Sequence, residues 1–222
     1  RLTKTMDPAG NETSIGYDEF GNQTTAESAM GVVTTTFNAA HQPVQVLYST
    51  KANSTATPVK VRVDHIFYDA NGNQERSDII DLRKDPVKMT DTMIASLIDS
   101  SVTRSETDTI DAKWKRITTT TFDFRDKPIS STDAGARITS QTYSLGTLTS
   151  SSTDASGGIT RFGYDLGGSL QFEALPYANA TDVKGLSRVM RRDKMGRVVE
   201  ILETPYSLTA GAVVRDVNGE PT

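Results

Sequence analysis

The 222-residue chain has no cysteine. That removes disulfide scaffolds, thiolate nucleophiles and cysteine-ligated zinc together. Histidine is scarce as well: His41 and His65 are the only two, and neither has a neighbour at metal-ligand spacing. No apolar run approaches the roughly 18 residues that a membrane-spanning helix needs. Aromatic residues make up 7% and the hydrophobic fraction is 36%. Neither sign of charge prevails, since the net charge of -4 is spread along the chain, which argues against a general nucleic-acid binder. The chain opens on Arg1 and ends on "NGEPT". It reads as a piece of something longer.

What is present repeats. Aspartate is followed three residues later by glycine at Asp7 and Gly10, Asp18 and Gly21, Asp69 and Gly72, and Asp154 and Gly157. The same spacing recurs at Asp165 and Gly168, Asp193 and Gly196, and Asp216 and Gly219. Weaker copies stand at Asn38 with His41 and at Asp123 with Asp126. An aromatic residue precedes the acid or amide at Tyr17, Phe37, Tyr68, Phe122 and Tyr164. A second spacing of ten residues links Asp7 to Tyr17, Asp133 to Tyr143, and Asp154 to Tyr164. "DPAGNETSIGYDEFGN" and "DASGGITRFGYDLGGS" are therefore one unit of turn, short strand and turn. "DAGARITSQTYSLGTL" reads as a worn copy that has lost one residue from each turn.

Physical chemistry gives the spacing a meaning. Asp or Asn at the first position of a type I turn accepts hydrogen bonds from the backbone that follows, and Gly at the fourth supplies positive φ. A type I turn followed by a left-handed glycine closes a hairpin through a bulge. The preceding Tyr or Phe then ends the incoming strand, with its ring over the turn. The stretches between turns agree. "VKVRVDHIFYD" alternates, with Val59, Val61, Val63 and His65 on one face and Lys60, Arg62 and Asp64 on the other. "GVVTTTFN", "RITTTTFD" and "GRVVEILE" are short and β-branched. Strands at intervals of about ten residues predict an all-β, extended antiparallel sheet.

One segment departs from this pattern. "DPVKMTDTMIASLIDSS" places Met89, Met93, Ile94, Leu97 and Ile98 on one helical face, with Asp85 as a cap and Pro86 in the first turn. It predicts a short amphipathic helix near 86–99, followed by a polar loop to about Asp111. The helix is expected to pack on the sheet, with docking on a partner as the alternative. The domain reading is a β segment over 1–77, an insertion over 78–115 and a second β segment over 116–222.

No chemistry beyond structure gathers on these residues. Both histidines read as structural. The aspartates invite calcium, but each turn has one recurring carboxylate, whereas a calcium site gathers several oxygen ligands. Turn capping is the better reading, so no metal, cofactor or catalytic residue is assigned. The glycine clusters around Gly157 and Gly167 lack the Lys-Ser/Thr of a phosphate loop. The basic stretch "SRVMRRDKMGR", with Arg188, Arg191, Arg192, Lys194 and Arg197, reads as outward charges on a strand pair, with binding to an acidic surface as the alternative.

Tandem "DPxGN…YDxxGN" units resemble the YD repeats of Rhs proteins, of the B and C components of insecticidal toxin complexes and, more distantly, of teneurins. The resemblance covers most of the chain outside Ile79 to Lys115. It implies a strip of hairpins spiralling into a hollow shell that, in bacterial members, encloses a toxic C-terminal segment. It further implies an exported bacterial protein without catalysis of its own. Its partners would be the rest of its repeat array, the encapsulated toxin and components of secretion or of the toxin complex, with no nucleic acid and no membrane span. The alternative is a β-rich surface module that attaches to glycans or another cell, with Tyr17, Tyr68 and Tyr164 as stacking candidates. The family's self-cleaving segment includes Asp-Pro-x-Gly-Leu; here "DPAGN" ends in Asn11 and opens an ordinary repeat, so cleavage is not assigned to Asp7.

Overall fold

The computed structural model describes residues 1–83, 91–99, 101–144, 147–175, 184–209 and 212–213. The chain divides into two compact units, Arg1–Thr119 and Thr120–Thr222. Both are built of antiparallel strands.

The first unit contains β1 (Lys4–Met6), β2 (Glu12–Tyr17), β3 (Gln23–Ser28), β4 (Gly31–Phe37), β5 (Pro43–Thr50), β6 (Val59–Tyr68), β7 (Gln74–Asp81) and β8, which runs from Lys115 across the unit boundary to Phe122. Each strand lies beside its sequence neighbours. The second unit continues with β9 (Pro128–Thr132), β10 (Ile138–Ser144), β11 (Leu148–Thr153), β12 (Ile159–Tyr164), β13 (Leu170–Leu175), β14 (Lys184–Arg192), β15 (Val198–Thr209) and β16 (Ala212–Val213), again in chain order. Such a meander follows from short connections, because a tight turn can only return the chain to the adjacent position.

Register explains the ten-residue spacing. In β2 and β12, five residues of turn lead into six residues of strand, so the aspartate stands at one end of the strand and the tyrosine at the other. The ladder slips by one residue just before the turn, between Gly16 and Tyr17, Phe67 and Tyr68, and Gly163 and Tyr164. These are β-bulges, and they recur at the same repeat position. The glycine before the tyrosine has a reason too: a Cβ at Gly16 would lie 2.3 Å from Thr25 Oγ1 on the facing strand.

The insertion sits between β7 and β8. β7 runs on through Asp78 to Asp81, with Val63 opposite Ile80 and His65 opposite Asp78. Helix α1 (Asp91–Leu97) follows, then a second helix, α2 (Arg104–Asp108). The expected polar loop is therefore corrected. Thr103 caps α2, accepting from Glu106 N–H while the Glu106 carboxylate accepts from Thr103 N–H, a reciprocal capping box. Asp85, Pro86 and Met89 lie outside the described residues.

α1 packs on the sheet. Leu97 and Ile110 join Val63, Ile80 and Leu82 in one buried cluster, with Ile94, Ile98, Leu47 and Trp114 against it. Each buried aliphatic side chain contributes about 1.5–3 kcal/mol relative to exposure. Met93 alone of the described apolar stripe stays outside, at 38% exposure. Polar contacts complete the seal. Gln45 Nε2 donates to the Asp99 carbonyl at 3.0 Å, and Lys115 Nζ donates to the Thr107 carbonyl at 2.6 Å. Asp78, fully buried, accepts from Arg76 Nε at 2.7 Å and from Thr107 Oγ1 at 2.5 Å, and Arg76 also grips Asp108. The buried carboxylate is thus paired and hydrogen-bonded, as burial of charge requires.

Candidate functional site

The recurring turns are the candidate site, and the hydrogen bonds of Asp7 show their construction. Its Oδ1 accepts from the N–H groups of Ala9 and Asn11 at 2.9 Å each, and its Oδ2 accepts from Asn11 Nδ2 at 2.7 Å. In the main chain, Gly10 N–H donates to the Asp7 carbonyl and Asp7 N–H to the Asn11 carbonyl. The same five-residue closure forms at Asp18, Asp69, Asp154, Asp165 and Asp193. Gly10, Gly21, Gly72, Gly157, Gly168 and Gly196 all have positive φ, between 79° and 99°, where a side chain is strained. Asp216 and Gly219 lie outside the described residues.

These bonds favour the ionised carboxyl. Asn11 and Asn73, through their side chains and then their backbone N–H groups, hold Asp7 and Asp69 below the usual carboxylate range. The Ser156 hydroxyl and then Gly158 N–H do so for Asp154. Sequence reasoning assigned the aspartate and the glycine but gave no role to the fifth position. Asn11, Asn22 and Asn73 donate side-chain N–H to the aspartate Oδ2, and Arg137 and Arg197 do so through Nε at 2.7 Å. The signal was the recurring Gly-Asn pair.

The worn copies keep the geometry without glycine. His41, Asp126 and Ala136 have φ of 61°, 61° and 58°. The reading that "DAGAR" has lost a residue is corrected: Asp133 N–H donates to the Arg137 carbonyl and Ala136 N–H to the Asp133 carbonyl, a full five-residue turn. Its glycine stands one position early, so alanine occupies the left-handed site. At the far end of that strand Ser144 still pairs with Leu148.

The tyrosines act through their hydroxyls. Tyr17 Oη donates to the Leu2 carbonyl, Tyr143 to Pro128 and Tyr164 to Thr149, each fifteen residues back. Tyr68 donates to the Pro43 carbonyl at 2.9 Å. Each clamps the start of the preceding strand to the end of its own. Because strands alternate in direction, all aromatic-led turns of a unit fall on one sheet edge. In the first unit these are the turns at Asp18, Asn38 and Asp69; in the second, those at Asp123, Ser144 and Asp165. The turns at Asp7, and at Asp133 and Asp154, fall on the opposite edge of their units.

Neighbouring turns on the aromatic edge are laced together. Asn22 Nδ2 lies 3.0 Å from His41 Nδ1 in a side-chain hydrogen bond, and the Phe20 ring meets the His41 imidazole edge-on at 4.9 Å. Gln42 Nε2 donates to the Gly72 carbonyl at 2.8 Å. In the second unit Lys127 Nζ lies 5.2 Å from the centre of the Tyr143 ring.

His65 is buried, and its Nε2 donates to the Leu97 carbonyl at 2.8 Å. Burial lowers its pKa. Among the described residues no group of three or more His, Asp or Glu side chains is arranged to hold a metal ion. No described helix is long and apolar enough to cross a membrane. In the basic stretch Arg188 pairs with Glu203 at 2.7 Å and Arg191 with Glu200 at 3.2 Å. Arg192 donates to the Gly196 and Leu170 carbonyls, and Arg197 pairs with Asp193.

No family model matches the chain, and no curated protein matches it. Solved structures do. A chain of the Photorhabdus luminescens Tc holotoxin pore is 14% identical over 94% of this chain, with a TM-score of 0.35. A chain of the TcdB2–TccC3–Cdc42 structure is 14% identical over 92%, with a TM-score of 0.33, and one of TcdB2–TccC3 is 12% identical over 92%, with a TM-score of 0.31. This chain spans only 12%, 12% and 15% of their respective lengths. In its turns the chain resembles the YD-repeat family, and over most of its length it is matched by these Tc toxin chains.

Proposed function

We propose that this chain is a structural segment of a YD-repeat β-shell that encloses a C-terminal toxin domain of an exported bacterial protein, and that it performs no catalysis of its own. One observation carries the reading: the hairpins close on themselves locally. The turn aspartate spends its acceptors on its own turn, the tyrosine hydroxyl spends its proton on the preceding strand, and each strand sits beside its sequence neighbours. Such a unit extends by adding hairpins, as repeat proteins do, and each unit gains buried surface from its neighbours. A wall needs this property. A catalytic site needs convergent free groups, which these turns do not offer.

The proposed mechanism is physical. Continuous ladder bonding makes the wall, and the wall denies its contents contact with the producing cell. The partners are then the remainder of the repeat array, the enclosed toxin and the components that deliver it. Denaturing mass spectrometry of the native gene product tests the reading. A product on the order of a thousand residues, far above ordinary domain size, is expected. A product of about the present length overturns enclosure.

A further inference from the structure

The first unit has a cleft of about 620 Å³ beside Trp114. Arg62, Asp81, Arg83, Lys113, Trp114 and Arg116 contribute to its walls. It gathers four cations in a chain whose net charge is -4. Two of the cations are already committed. Arg62 grips Asp64 through Nε at 2.6 Å and Nη2 at 2.5 Å, and Arg83 Nε lies 2.9 Å from both oxygens of Asp81. The other two are not. Arg116 is exposed and has no ion-pair partner among the described residues, although it acts with Arg83 to keep Asp81 ionised. Lys113 is also exposed and lies 5.4 Å from the centre of the Trp114 ring. The Trp114 indole Nε1 is buried with no hydrogen-bond partner.

We propose that this cleft is a binding site for an acidic polypeptide segment, whose carboxylates engage Arg116 and Lys113 while an adjoining side chain lies against Trp114. Charge complementarity selects the sign, because the cations outnumber the two carboxylates, Asp64 and Asp81, that they hold. The size selects a segment over a lone oxyanion, since cavities of several hundred Å³ take ligands of many atoms. The committed arginines show that guanidinium forks here already meet carboxylates in two-point contact, the geometry such forks favour. Trp114 supplies an apolar wall that a peptide covers and a phosphate ion does not.

Fluorescence anisotropy of a fluorescein-labelled glutamate-rich peptide, titrated with the whole 222-residue chain, tests this. Arg116→Glu and Lys113→Glu are each expected to weaken binding at least about tenfold while the far-UV circular dichroism of the folded chain is kept, since both side chains are exposed. Arg188→Glu, in the other basic stretch, is expected to leave binding intact. Absence of binding overturns the proposal. So does equal loss in Arg188→Glu, which would mean general charge attraction. Tighter binding of inorganic phosphate or of a labelled oligonucleotide than of the peptide, removed by Arg116→Glu, overturns the peptide assignment in favour of phosphate recognition.

Discussion

The two units solve the same sheet differently. In the first, one face is covered: α1 and the chain around Ile110 bury Val63, Ile80 and Leu82, while α2 brings Thr107 to the paired Asp78, and a neutral His65 completes the contact. In the second, only Ala174 and Ser187 are buried among the described residues. Its strands rest on ladder bonds, turn bonds and cross-strand pairs such as Arg188 with Glu203. The difference shows that the repeat specifies strand order and register without a core of its own. Among the described residues, a buried aliphatic cluster appears only where the insertion adds a second layer. Ser and Thr are abundant in strands such as β11 for the same reason: a sheet without a packed layer needs side chains that fit a pleat and tolerate water.

This contrast sets the expected sizes of perturbation. Ile80→Ala empties a fully buried site and is expected to cost the first unit about 2–5 kcal/mol. Hydrogen exchange resolved by segment checks it: protection of β5 to β7 falls and that of β10 to β13 holds. Equal loss in both units would break the distinction between them. In the second unit the largest single effect should come from a turn. A Cβ at Gly157 meets nothing within 4 Å, so Gly157→Ala costs only its left-handed backbone, about 1–2 kcal/mol. A urea melt should show the loss.

Smaller effects follow in the same sheet. Tyr164→Phe removes one hydroxyl bond to the Thr149 carbonyl and is expected to cost about 1 kcal/mol. Ala136→Gly should move the other way, stabilising by up to about 1 kcal/mol, because alanine now holds φ of 58°. Acid should separate the units more gently. His65 has a folded pKa below its unfolded value, so the unfolded state binds the extra proton first. Its contribution is complete above about pH 6.5 and declines as pH falls below that value. The turn aspartates Asp7 and Asp69, and Asp154 in the second unit, are also lowered and keep their contribution until pH falls below about 4. A stability profile against pH should therefore show the first unit weakening before the second, and His65→Gln should remove the earlier step.

Much of this arrangement was legible in the residues, for local reasons. Asp-x-x-Gly is a short-range signal, because donor, acceptor and φ requirement all lie within five residues. The alternation in β6 and the apolar stripe at Ile94, Leu97 and Ile98 were equally plain. The partners of the tyrosine hydroxyls were not. Which carbonyl Tyr17 reaches depends on how β1 and β2 align, and the motif does not carry that. The same holds for His65, whose partner is a helix-end carbonyl more than thirty residues away. The cap of α2 was readable as Thr-x-x-Glu at Thr103 and Glu106 but was hidden in a polar stretch. Ala136 escaped because the turn was judged by its glycine, while the backbone bonds of Asp133 hold the left-handed position without one.

The central claim is enclosure, and protease protection of the native full-length gene product tests it most directly. Limited digestion, followed by mass spectrometry of the fragments, reads which segments are reachable. The account predicts that a segment C-terminal to the repeats survives in the native product and is cut rapidly once denaturant opens the sheet. Cleavage of that segment at the same rate under native and denaturing conditions would contradict it.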